Sequence, residues 1–119
     1  MSKVSILGAE FELNMFDAAD AKRVSDARRI FEAQRLAIEA EKDNMELWES
    51  ITEICHAAFT CFNSIFGDGA DVKIFHDKCD LCQCVEAMAQ LGKACTETQT
   101  DAFNQRFAAY LPNRAQRKV

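Results

Sequence analysis

Apolar positions in the first fourteen residues recur with a period of two. Val4 and Ile6 alternate with Lys3 and Ser5, and Phe11 and Leu13 alternate with Glu10 and Glu12. Such alternation marks strands with one dry face. Leu7-Gly8-Ala9 separates the two runs, and Gly8 offers the positive φ that a tight turn needs. The pattern predicts a β-hairpin over residues 3–14, with strands at 3–7 and 9–14. A lone hairpin is marginal in water. It must therefore lie on the rest of the chain or pair with a strand of another copy.

From Asp17 the period becomes helical. Val24, Ala27, Phe31 and Ile38 recur at intervals of three, four and seven, with Gln34 interrupting the stripe. Asp17 or Asp20 can cap the start. Residues 17–43 carry seven acids and six bases, interleaved. That is a solvated helix face with opposite charges within reach, not a binding patch of one sign. Asp43-Asn44 breaks the helix, and a second follows over about 45–66. Trp48, Ile51, Cys55, Phe59, Phe62 and Phe66 form one stripe, which Leu47, Ile54, Ala58, Cys61 and Ile65 widen. A helix apolar almost all round is predicted to be the central core helix. Gly67 stands where a left-handed cap would end it.

Residues 70–77 read as a short helical turn. Asp80, with Gln83 three positions on, has a capping pattern. Leu81, Val85, Met88, Leu91 and Cys95 mark the face expected to be buried in the helix that follows. A polar joint over 96–100 leads to a last helix of about 99–111, presenting Phe103, Phe107, Tyr110 and Leu111, and Pro112 stops it. The expected fold is mainly α, an N-terminal β-hairpin followed by a bundle of about four helices. Residues 1–112 form one domain and 113–119 a basic flexible tail.

Composition narrows the function classes. The 119 residues suit one domain. Hydrophobic residues at 49% and charged residues at 28% argue against a wholly disordered chain. One Pro and four Gly disfavour a loop-rich all-β fold. The net charge is −5; Arg114, Arg117 and Lys118 put +3 at the end, leaving −8 on the remainder. That balance predicts no nucleic-acid partner, because phosphate contacts need clustered Lys and Arg. No 18-residue apolar run occurs, and the opening meets Glu10 and Glu12 early, so neither a membrane span nor a signal peptide is expected. The expected location is the cytoplasm, with the six cysteines as reduced thiols.

The segment His76, Cys79, Cys82, Cys84 most resembles a site. Cys79-x-x-Cys82 has the spacing of a zinc knuckle or a redox dithiol. Zinc needs four ligands, however, and no second pair stands at a suitable distance. Cys82 and Cys84, two apart on a helix, point about 200° apart. A redox role for Cys79 near a helix start is opposed by Asp77 and Asp80. The plainer reading puts Cys55, Cys61, Cys84 and Cys95 at helix contacts, and Cys79 and Cys82 in a turn and a first helical turn. His56 is expected to be partly buried and hydrogen-bonded. Glu49 and Glu53 read as a solvated flank, and Gly67-x-Gly69 as a helix stop without the strand that a phosphate loop requires. No catalytic residue and no cofactor is expected.

The order of features resembles a family of small proteins encoded in the tail-gene region of phages and prophages of Gram-positive bacteria, regarded as tail assembly chaperones or chaperone-like proteins. The likeness lies in Ile6-Leu7-Gly8-Ala9-Glu10-Phe11-Glu12-Leu13, in Met15-Phe16-Asp17, and in Ser64-Ile65-Phe66-Gly67-Asp68-Gly69. It continues through Lys73-Ile74-Phe75, Asp77-Lys78-Cys79-Asp80-Leu81, Cys84-Val85-Glu86-Ala87 and Tyr110-Leu111-Pro112-Asn113-Arg114-Ala115-Gln116-Arg117. That family tends to a glycine near His76 and Cys82, so the resemblance implies that the histidine and cysteine are additions, not a family metal site. It implies a non-enzymatic protein that binds other tail proteins, the tape-measure protein among them, in the cytoplasm of a bacterial host. Phe103, Phe107, Tyr110 and Leu111, with Phe11 and Leu13 of the hairpin edge, are the expected contact residues. The hairpin or the last helix could also join two copies. Two alternatives stay open: a zinc- or thiol-dependent protein using Cys79 and Cys82, and a structural component of the virion tail.

Overall fold

The computed structural model describes residues 2–97. The last helix expected at 99–111 and the tail at 113–119 lie outside the described residues. Strands β1 (Ser2–Ile6) and β2 (Ala9–Leu13) pair antiparallel, with Val4 opposite Phe11 and Ile6 opposite Ala9. The two-residue turn holds Leu7 at φ 48° and Gly8 at φ 87°, the left-handed pair whose twist suits a tight hairpin. Leu7 is an unusual residue there. Its N–H donates to Gln90 Oε1 at 2.7 Å, and its side chain packs on the core.

The hairpin does not stand alone. Val4, Ile6, Ala9 and Leu13 are buried on its inner face, while Lys3, Ser5, Glu10 and Glu12 face water. β1 lies on the last described helix. Phe11 stacks on Phe66 with ring centres 4.3 Å apart. Lys73 extends over the Phe11 ring and donates to the Glu10 carbonyl at 3.0 Å.

Helix α1 (Ala18–Ala40) starts at Asp17, whose carboxylate accepts from the Asp20 N–H. It buries Val24, Ala27 and Phe31. A 3₁₀ turn at Lys42–Asn44 leads to α2 (Leu47–Phe66), which opens with a reciprocal capping box between Glu46 and Glu49. Arg23 donates to the Ile65 carbonyl at 3.1 Å, so the start of α1 sits beside the end of α2. α2 supplies the centre of the core through Cys55, Ala57, Ala58, Cys61, Phe62 and Ile65. Gly67 ends it at φ 103° and ψ 165°. This is an extended mirror-image conformation open to glycine, not the left-handed cap expected. Short α3 (Ala70–Phe75) follows, adding Ile74 and Phe75 to the core. Asp80 then caps α4 (Leu81–Glu97) by accepting from the Gln83 N–H at 3.2 Å.

Three packing expectations are corrected. Leu47 and Trp48, placed on the core stripe of α2 by spacing, are 75% and 67% exposed. Cys79 meets α2 at Ile51 and Cys55, and Cys84 meets it at Cys55. The first turn of α2 therefore runs past the element that could cover it. On α4, Val85 is exposed at 61%, and the buried row is Cys84, Ala87, Leu91 and Cys95. The hairpin seats one side of α4 and thereby turns that row inward. Glu97 is still helical and Thr96 donates to the Gly92 carbonyl, so α4 runs into the start of the expected polar joint. Among the described residues no helix is long and apolar enough to cross a membrane.

Candidate functional site

The cysteine segment is built by the turn between α3 and α4. His76 and Asp77 both adopt positive φ, at 53° and 63°, which reverses the chain and leaves His76, Cys79 and Cys82 exposed. The Cys79 thiol points at the Ile51 carbonyl, 4.0 Å away. Cys84 faces inward to Cys55, so Cys82 and Cys84 diverge as their spacing requires. Burial raises the Cys55 thiol far above its ordinary value, with the Cys84 and Cys79 thiols adding to the rise. Burial likewise pushes Cys61 up to about 11 and raises Cys84 and Cys95. At these four positions burial disfavours the thiolate, the form that acts as nucleophile or metal ligand. Among the described residues, no three His, Cys, Asp or Glu side chains gather into a group that could hold a metal ion.

His56 is exposed, contrary to the expectation of partial burial. It lies on the outer side of α2, tilted against Phe59 at 5.9 Å. With Glu53, Gln34 and Thr60 it lines an open hollow of about 260 Å³. Glu49 is committed to the capping box.

The contact residues expected from the resemblance fare differently. Phe103, Phe107, Tyr110 and Leu111 lie outside the described residues. Leu13 is only 1% exposed, so its side chain belongs to the chain's own core and offers nothing to a partner. Phe11 is half-buried between Phe66 and Lys73.

Two apolar surfaces come from the tertiary structure instead. The first is the far end of the α1–α2 hairpin. No side chain from Glu32 to Ile54 is buried, and this stretch carries Leu36 at 55% exposure together with Leu47 and Trp48. Seven acids and two bases there give it a net charge of −5. The second is a groove of about 290 Å³. Phe31 of α1, Ile54 of α2 and Leu81, Cys84, Val85 and Met88 of α4 form its apolar lining, with Glu32, Arg35 and Glu39 on the α1 rim. Arg35 pairs with Glu32 at 2.6 Å and holds its carboxyl below the usual value. Lys22 and, after it, Arg29 do the same for Asp26. These are exposed pairs within one helix, which adjust the local charge and add little stability.

The one sequence signal for the first surface is the adjacent Leu47-Trp48 pair directly after the Glu46 cap. Neighbours in a first helical turn cannot share one face.

The chain belongs to the family described as "Family of unknown function (DUF6673)", whose pattern matches residues 7–119. No curated protein and no solved structure matches it.

Proposed function

We propose that this is a non-enzymatic, chaperone-like protein of phage tail assembly. It binds another tail protein reversibly in the cytoplasm of the bacterial host. The favoured partner is the tape-measure protein, a long helical chain whose apolar stripes need cover before the tube forms around it. The observation that carries the reading is the uncovered end of the α1–α2 hairpin, with Leu36, Leu47 and Trp48 exposed in an acidic setting. Trp is prominent among the residues that dominate protein interfaces. Acids around it favour a partner helix with an apolar stripe flanked by Lys or Arg. The ordered motifs shared with the tail-region family point the same way.

The test is coexpression with tape-measure fragments. Wild-type protein is expected to copurify with a fragment, and Trp48→Ala to lose it while retaining the wild-type unfolding midpoint. Failure of every fragment to copurify removes the proposal. A chaperone leaves the finished particle, so mass spectrometry of virions is expected to find none of this chain. Finding it there would favour a structural tail component.

A further inference from the structure

We propose that the groove between α1 and α4 continues into the exposed end of the α1–α2 hairpin as one docking track, and that its occupant is a single cationic amphipathic helix of a partner protein. Such a track deepens the partner reading above, on which it rests, by adding a second surface and a length.

The two surfaces are continuous. α4 begins beside Ile51 and Cys55, and by Gly92 it lies beside Arg28. It therefore runs antiparallel to α1, and its first turn, with Leu81, faces the hairpin end. Among the described residues the groove is open on that side, and helical spacing carries its lining onward. Leu36 shares a face of α1 with the rim residues Glu32, Arg35 and Glu39, at steps of four, one and three. Leu47 precedes Ile51 by four residues and Ile54 by seven, so it extends the floor that Ile54 makes. Leu36, Leu47 and Val85 are all exposed, and Trp48 stands beside Leu47 at the margin.

Length sets the kind of occupant. Cys84 and Cys55 meet and mark a common level on α4 and α2. Met88 lies about 6 Å from that level along α4, and Leu47 about 12 Å the other way along α2. A track of roughly 18 Å matches just over three turns of helix. Its walls and floor are helices, so an extended peptide would find no strand edge to pair with. Side chains projecting from a helix at i, i+4 and i+7 fill a trough of this kind.

Charge selects among helices. Residues 32–54 carry net −5, and residues 77–88, the start of α4 and the turn before it, add three acids and one base, net −2. Arg35 and Lys42 are already paired, with Glu32 at 2.6 Å and Glu39 at 3.1 Å. A second copy would bring the same acidic walls face to face, and like charges oppose such a contact. A partner helix with Lys or Arg on both flanks of an apolar row meets acids on both walls instead.

The test is nuclear magnetic resonance on the full chain with a synthetic peptide of about four helical turns. The peptide carries Leu at i, i+4 and i+7 and Lys elsewhere, and a counterpart has Glu in place of Lys. The methyl signals of Leu36, Leu47, Val85 and Met88 are expected to shift with the Lys peptide, less so as salt rises, and not with the Glu peptide. Val85→Gln in the groove and Leu36→Gln beyond it, both at exposed positions, are each expected to raise Kd at least fivefold. Val72→Gln, at an exposed position on α3, is expected to leave Kd unchanged. Equal binding of the Glu peptide, or a Kd untouched by Val85→Gln, overturns the proposal, while coexpression still decides the partner reading. Cross-peaks in the free protein from the Val85 methyls to a residue beyond 97 or to a second copy also overturn it, because the groove is then already filled. Binding as expected while every tape-measure fragment fails supports the track and removes the tail-assembly reading.

Discussion

Phe62→Ala and Trp48→Ala together test whether helical spacing or tertiary cover decides which part of α2 is core. Both residues lie on the same apolar stripe of one helix. Phe62 is fully buried, and its ring meets Phe75 edge-on at 5.8 Å and Phe66 in a stack at 6.4 Å. Truncating a buried Phe to Ala costs about 3–5 kcal/mol, from lost transfer energy plus the cavity left behind. Each lost aromatic pair is worth about 0.5–1.5 kcal/mol beyond area, which places this site toward the top of that range. Against a whole-domain stability of about 5–15 kcal/mol, the change is a third of the total or more. It should lower Tm by roughly 10–20 °C in a chain of this length. Trp48 is 67% exposed, so its truncation should stay within about 0.5 kcal/mol. Equilibrium urea unfolding followed by far-UV circular dichroism measures both, since loss of the one Trp does not silence that signal. Equal costs for the two variants would refute the reasoning, because the first turn of α2 would then have to be covered.

Other consequences follow from burial and backbone geometry. In native protein, Ellman's reagent should titrate two thiols rapidly, Cys79 and Cys82, and six in denaturant; a third fast thiol would contradict the burial of the rest. His76 sits in the left-handed region at φ 53°, ψ 42°, so His76→Gly should stabilise by about 0.5–1 kcal/mol in the same urea titration. Stability should fall as pH rises from about 9 to 11. Unfolded thiols ionise near 9.0 while buried Cys61 holds its proton to about 11, so the folded state favours the protonated thiol and its advantage is lost on the alkaline side. Cys61→Ala should flatten that slope by about 2 kcal/mol over the interval, and an unchanged slope would remove the linkage.

How much of this was legible in the sequence depends on how local the cause is. The hairpin follows from alternation and a glycine turn, and the Asp17 and Asp80 caps follow from side chains that reach their own backbone within three residues. The split of the cysteines into four buried and two exposed was also legible, because helical spacing alone separates Cys82 from Cys84. Burial at element ends was not. Trp48 and Val85 fit their stripes, yet spacing names a face and cannot say whether a neighbour extends far enough to cover it. The acidic, uncovered hairpin end exists because α4 joins α2 at Ile51 to Cys55 and leaves the first turn behind. The groove exists because α1 and α4 flank α2 without closing over it. By itself, the sequence determined the elements, their caps and their dry faces, since these depend on contacts between residues a few positions apart. Which dry faces stay dry was decided only by the tertiary structure, through the lengths and offsets at which the helices meet.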